Sequence, residues 1–190
     1  MSLIANLLRP RASAGVATTS SPGWLLRGFG RPTRSGISVN EHTAVSITAV
    51  YACVRVIAGA IGRMPCEVLR REDGRRIPAE ELPAYWMLKR RPNRWMTAYT
   101  QRRLQVSHGM LWGNGYAAVV RNGRGQAVEM WPLLPEVTQP RIDGDRVVLE
   151  TVEQDGRPRV IGAEDVAHLM PFTHDGIVGL SPIRLHREAL

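Results

Sequence analysis

The spacing of apolar positions changes period once along this chain, near residue 113, and the two halves predict different elements. From Ala44 to Ile61 the residues Ile47, Tyr51, Val54, Ala58 and Ile61 recur at spacings of four and three, one stripe of a helix. Val50, Val56 and Ile57 widen it. A helix apolar over so much of its circumference is packed on more than one side, within its own subunit or against a neighbour. Pro65 ends it. Cys66 to Arg71 reads as a strand that enters the turn Glu72-Asp73-Gly74. A short helix over Leu82 to Leu88 follows, stopped by Arg90-Arg91-Pro92-Asn93, because the residue before a proline is pushed out of helical geometry. Thr97 sits where an N-cap belongs, ahead of a helix from Ala98 to Leu111 with Tyr99, Val106 and Met110 facing inward. Gly113-Asn114-Gly115 breaks it.

Beyond that point the period is two. Tyr116 to Arg121 and Gln126 to Trp131 alternate and flank Asn122-Gly123-Arg124-Gly125, a hairpin signal. Further strands are predicted at Arg141–Ile142, Arg146–Val152 and Arg159–Ile161, separated by Asp143-Gly144 and Asp155-Gly156. Ala163 to Val166 reads as a single turn before a strand Ala167–Phe172. A last helix begins after Gly179-Leu180-Ser181-Pro182, and the chain stops inside it at Leu190 without a C-cap, which reads as truncation. At the other end, residues 9–40 are dominated by Arg, Ser, Gly, Pro, Ala and Thr and cannot bury enough apolar surface to offset ordering entropy. The expected organisation is a flexible basic arm over 1–40 and an α+β domain over 41–190, helices first and a β-rich hairpin and meander after them.

Composition sharpens this. With 190 residues and 44% hydrophobic side chains, a core needs no metal or disulfide. Cys53 and Cys66 are too few for a disulfide framework and lack zinc-site spacing, so they read as small buried hydrophobes. The formal net charge is +8. Arg9, Arg11, Arg27, Arg31 and Arg34, with no acid among residues 1–40, supply 5 of it and leave 8 − 5 = +3 for the body. Within that body, Arg70 to Arg103 holds ten cations and four acids, a local +6. Such a field suits a polyanionic neighbour, and a solvated arginine-rich surface has the same composition. The first forty residues could also pass for a mitochondrial transit peptide, whose composition a basic arm shares. The charges follow the apolar Met1 to Leu8, the wrong order for a secretory signal, and no apolar run reaches the length of a membrane span.

Bond-making chemistry has no clear foothold, and no cofactor is called for. Gly113-x-Gly115-x-x-Ala118 matches a relaxed dinucleotide fingerprint but follows a helix and opens a strand, the reverse of the turn that seats a pyrophosphate. No phosphate-binding Gly-x-x-x-x-Gly-Lys segment exists; the one lysine, Lys89, precedes an arginine. Ser181, His168, His174 and Asp175 invite a hydrolase reading, but Ser181 lacks the Gly-x-Ser-x-Gly elbow, and Ser-Pro at a helix start is an N-cap with proline in the first turn. No His-x-x-x-His pair supports a metal. One constellation remains: Arg90, Arg91, Arg94, Trp95, Arg102 and Arg103, with Trp86 and Tyr99 interleaved. It suits a subunit interface, where Arg, Trp and Tyr are enriched, or phosphate contacts and stacking on DNA. An autonomous nucleic-acid-binding domain using the Arg-rich 70–103 region is the alternative from another class.

From about Ser38 to Leu190 the order of segments resembles the phage portal family of the HK-ninety-seven type. The matching pieces are Ala44 to Ala58 ending in Met64-Pro65; Leu88 to Asn93 with its Arg-Pro-Asn; Met96 to Tyr99; and His108-Gly109 through Gly113-Asn114-Gly115-Tyr116-Ala117. Val128 to Leu133, Glu164 to Leu169 and Asp175 to Ile183 follow. The resemblance implies a structural, non-enzymatic subunit of a ring, usually of twelve copies, at the capsid vertex of a virion. Its partners would be itself, the major capsid protein, the packaging terminase, the head-tail connector and non-specific double-stranded DNA. Assembly would occur in the host bacterial cytoplasm, with no membrane. It further implies that this part of the chain forms the wing and its arm, with the stem and clip to come afterwards. A body near +3 with interspersed acids suits transient contact with sliding DNA, since every neutralised phosphate deepens the binding minimum.

Overall fold

Asn40 caps the first helix of the computed structural model, which describes residues 40–153 and 156–186. The arm expected over 1–40, apart from Asn40, lies outside the described residues. So do Asp155 of one predicted turn and the helix continuation from residue 187 to 190. In α1 (Glu41–Ala44), Asn40 Oδ1 accepts from His42 N and Thr43 N while Thr43 Oγ1 accepts from Asn40 N, a closed capping box. The single helix expected from Ala44 is therefore two. Ser46 Oγ donates to Thr43 O at 2.6 Å and competes with the helical ladder. The chain turns, and α2 runs over Thr48–Arg63.

α2, whose buried residues are Ala58, Gly59 and Gly62, lies along α4 (Ala98–Trp112). A Cβ on Gly62 would stand 3.1 Å from the Tyr99 ring and 3.3 Å from Arg103 Cβ, so the close approach of the two helices rests on the missing side chain. Between them come the hairpin of β1 (Leu69–Glu72) and β2 (Arg75–Pro78) and the helix α3 (Pro83–Lys89). The strand expected at Cys66 begins three residues later. Its partner β2 carries no alternation of its own and takes its form from the Asp73-Gly74 turn, both residues at positive φ. Thr97 caps α4 by accepting from Thr100 N, and Gly113 ends it at φ 81°.

Two three-stranded antiparallel sheets follow. The first has the order β4-β3-β8, with β3 (Gly115–Arg121) central between β4 (Ala127–Leu133) and β8 (Val166–Leu169). β8 ends short of the Phe172 expected for it. The second is the meander β5 (Gln139–Asp143), β6 (Arg146–Val152) and β7 (Pro158–Gly162). A 3-10 turn at Ala163–Asp165 connects them, and α5 (Pro182–His186) closes the described chain.

The alternation of β3 organises the core. Tyr116 and Ala118 point to one side and pack with Leu133, Leu149 and Ile161, joining the two sheets. Ala117 points to the other and packs with Met87 of α3 and Met130 of β4. A third cluster, Ala44, Leu111 and Ile183, ties α1, α4 and α5 together. On α4, Val106 is buried as expected while Tyr99 and Met110 are half-buried; Gln101 and His108 are the buried polar side chains. Both cysteines are free and exposed, against the expectation that they are buried. The reason for Cys53 is that α2 has two apolar faces and only one is covered. No helix among the described residues is long and apolar enough to cross a membrane.

Candidate functional site

Ser181, Asp175 and His168, three of the residues that invite a hydrolase reading, are occupied elsewhere. Ser181 Oγ donates to Leu111 O at 2.7 Å and accepts from Arg184 N, so it caps α5 and anchors it to α4. Asp175 accepts from Ile177 N and Val178 N, both at 2.8 Å, and those backbone bonds, Val178 first, hold its carboxyl below the usual range. Among the described residues no group of three His, Cys, Asp or Glu side chains is placed to hold a metal.

His168 belongs to a clasp at the end of α4. Asn114 Oδ1 accepts from Gly179 N at 2.7 Å, and Asn114 Nδ2 donates to Gly179 O at 3.1 Å. That pairing identifies the amide oxygen, so His168, 2.9 Å from Oδ1, donates through Nε2. The backbones interlock as closely as glycine permits: a Cβ on Gly179 would stand 1.8 Å from Gly113 O, and one on Gly113 2.4 Å from the Leu180 carbonyl carbon. Arg184 Nε, 2.5 Å from the buried Glu41 carboxylate, braces α5 from the side of α1. Together these contacts fix α5 against α1 and α4.

The Arg-aromatic constellation divides into an outer and an inner part. Outside, Arg90 stacks over Trp86 at 4.9 Å and Arg94 over Trp95 at 4.7 Å, while Trp95 meets Trp131 edge-on. Arg91 and Arg103 are also exposed. Each exposed cation–π pair contributes about 0.5–1 kcal/mol, enough to orient a guanidinium without occupying it. The loop that presents them is held by Asn93, whose Oδ1 accepts from Trp95 N and Met96 N and whose Nδ2 donates to Met130 O. Arg102 turns inward. Its Nε and Nη2 donate to Gly62 O at 3.2 and 3.0 Å, and its Nη1 donates to Leu88 O at 2.8 Å, so one guanidinium serves the carbonyl ends of α2 and α3. Replacing Arg102 by Leu is expected to cost about 2 kcal/mol in urea unfolding, the range for charged hydrogen bonds. Arg103→Leu at an exposed position is expected to cost a few tenths, about 0.5 kcal/mol at most.

The second apolar side expected of the first long helix is the outward side of α2, and it is open. Ala49, Cys53, Val56, Ile57 and Ala60, with Met64 just beyond, follow spacings of three and four and are all exposed. Val56 is 68% and Met64 59% accessible. Val50, Val54, Ala58 and Ile61 form the covered side. The signal in the sequence was the width of the apolar stripe, which says that a second side is covered but not which residues form it.

Residues 48–190 match the family of phage portal proteins. The chain is 29% identical over 148 residues to the portal protein of Enterobacteria phage HK97, a match covering 77% of this chain and 35% of that one. It is 30% identical over 108 residues to protein BeeE of Escherichia coli K12, covering 57% of this chain and 68% of BeeE. Among solved structures, a chain in the neck of an empty gene transfer agent particle, computed with C6 symmetry, superposes with a TM-score of 0.63 at 22% identity. That match covers 88% of this chain and 46% of the other. The corresponding chain in a native particle computed with C12 symmetry gives 0.61. This chain thus spans about a third of the HK97 portal protein and under half of the neck chains.

Proposed function

Because the chain belongs to the phage portal protein family, we propose that it is a structural, non-catalytic subunit of a portal ring at the capsid vertex of a virion. In this reading it corresponds to the wing, and duplex DNA passes the assembled ring during packaging and ejection. Its partners are copies of itself, then the major capsid protein, the terminase and the head-tail connector. The assembling protein meets them in the host bacterial cytoplasm.

The observation that carries the self-association is the outward side of α2. Exposed Val56 and Ile57 on α2, with Met64 just past its end, are costly in water, and burying a side chain of this size gains about 1.5–3 kcal/mol. A head-to-tail contact between this patch and a different patch on the next copy closes into a ring when the rotation permits. The exposed members of the arginine set, Arg90, Arg91, Arg94 and Arg103 with Trp95, supply the polar rim of such a contact or face DNA, while Arg102 acts through the fold.

Mass photometry and negative-stain micrographs of the purified protein test this. The unaltered chain is expected to give ring-sized particles. Val56→Glu/Ile57→Glu is expected to leave protomers of unchanged melting temperature, since both side chains are exposed. Solitary unaltered protein with no rings at any concentration would refute the reading.

A further inference from the structure

The geometry points to the β1–β2 hairpin as a phosphate-binding ribbon, with Arg71 and Arg76 forming a two-guanidinium clamp for the backbone of duplex DNA. The two faces of the hairpin differ in a way that its overall charge hides. In the antiparallel register, Arg71 lies directly opposite Arg76 and Glu72 opposite Arg75. Alternation therefore puts Arg70, Glu72, Arg75 and Ile77 on one face and Leu69, Arg71, Arg76 and Pro78 on the other.

The first face is balanced. Arg70 pairs with Glu72 and with Glu81, both at 3.0 Å, and Arg75 faces Glu72 across the ladder. The second face carries two arginines and no acid: Glu72, next to Arg71 in sequence, belongs to the first face, and Asp73 sits in the turn at φ 46°. Cross-strand partners have Cβ atoms about 5 Å apart, and like charges directly opposite destabilise a strand pair. A two-stranded hairpin is marginal by itself, so it is a poor place to store repulsion. An anion between the guanidiniums removes the repulsion.

A duplex fits the arrangement better than an acidic protein surface. Phosphates of one strand follow each other at short, regular intervals, matching two fixed cations, and a two-stranded ribbon fits a major groove about 12 Å wide. The carboxylates Glu72 and Glu81 engage the opposite face and leave the approach free of like charge. Two contacts per copy are weak alone and add up over the copies of a ring. The assignment of duplex DNA rests on the portal reading; the unbalanced face does not.

The test is the salt dependence of binding to a labelled random-sequence duplex, read by fluorescence anisotropy. Each phosphate neutralised adds about 0.9 to the slope of log affinity against log salt. Arg71→Gln/Arg76→Gln should therefore flatten the slope by about 1.8, which is roughly tenfold less affinity lost between about 50 and 200 mM salt. The charge-matched control Arg124→Gln/Arg146→Gln, one in the turn before β4 and one at the start of β6, should leave the slope unchanged. The hairpin variant should melt at or above the temperature of the unaltered protein, which a structural role for the two arginines would not allow. Equal flattening by both variants, or none by the hairpin variant, overturns the proposal; the latter is also the outcome if the clamp serves an acidic protein. Ring formation is scored separately on the same samples. Rings with an unaltered slope defeat the clamp alone, and a flattened slope without rings defeats the portal reading alone.

Discussion

Gly113→Ala is expected to lower the melting temperature by on the order of 10 °C. Two costs act together. The residue sits at φ 81°, where an L side chain costs about 1–2 kcal/mol. The added carbon would also stand 2.4 Å from the Leu180 carbonyl carbon and 2.6 Å from Ser181 N, main-chain atoms that cannot swing aside, and overpacking of this kind costs about 1–3 kcal/mol. The sum, roughly 2–5 kcal/mol, is concentrated where α4, β3 and the start of α5 meet. Gly144→Ala is the control: its φ is 61° but a Cβ there meets nothing within 4 Å, so it should show the conformational cost alone. Differential scanning calorimetry of the two variants separates strain from crowding. Similar small shifts in both would mean that the clasp opens cheaply.

Acidification from pH 7 to pH 4 is expected to remove about 3 kcal/mol of stability through His108 alone. Burial in α4 against Trp112 lowers its pKa from 6.5 to about 4, and Nδ1 has no hydrogen-bond partner to offset the lost solvation. The sign follows from which state takes the proton. The unfolded chain protonates below about 6.5 and the folded one only below about 4, so stability is full above that window and falls as pH drops through it. His168, also lowered to about 4 by burial, adds in the same direction, less because it is only half-buried. Its bond to Asn114 survives protonation because Nε2 is already the donor. Urea unfolding of the unaltered protein and of His108→Gln at pH 7 and pH 5 checks this: the variant should lose clearly less stability on acidification. Parallel losses would show that water reaches the ring.

Much of the domain was legible from local chemistry. The hairpin around Asn122-Gly123-Arg124-Gly125, the meander with its Asp143-Gly144 turn, the Thr97 cap and the break at Gly113 all follow from turn and cap residues acting within a few positions of themselves. The break inside the first helix was not legible, because Ser46 competes with the ladder through one side-chain bond that the apolar period does not register. β2 was missed for a related reason: a strand of Arg75, Arg76, Ile77 and Pro78 has no apolar face and exists through its partner. The candidate site was half legible. Its composition announced a cluster of arginine and tryptophan, but nothing in the order of residues distinguishes Arg102, which closes two helices, from Arg103, which faces solvent.

The sequence alone determined the class of the fold, the division into helices and then strands, and the family to which the segments in this order belong. Each depends on periodicity, turn residues or motif order, all of which are written along the chain. Only the tertiary structure decided which of two apolar sides of α2 is left open, which arginines are spent on backbone carbonyls, and which face of the β1–β2 ribbon keeps its charge. Those depend on neighbours distant in sequence, and a side chain's availability is set by what the fold brings against it.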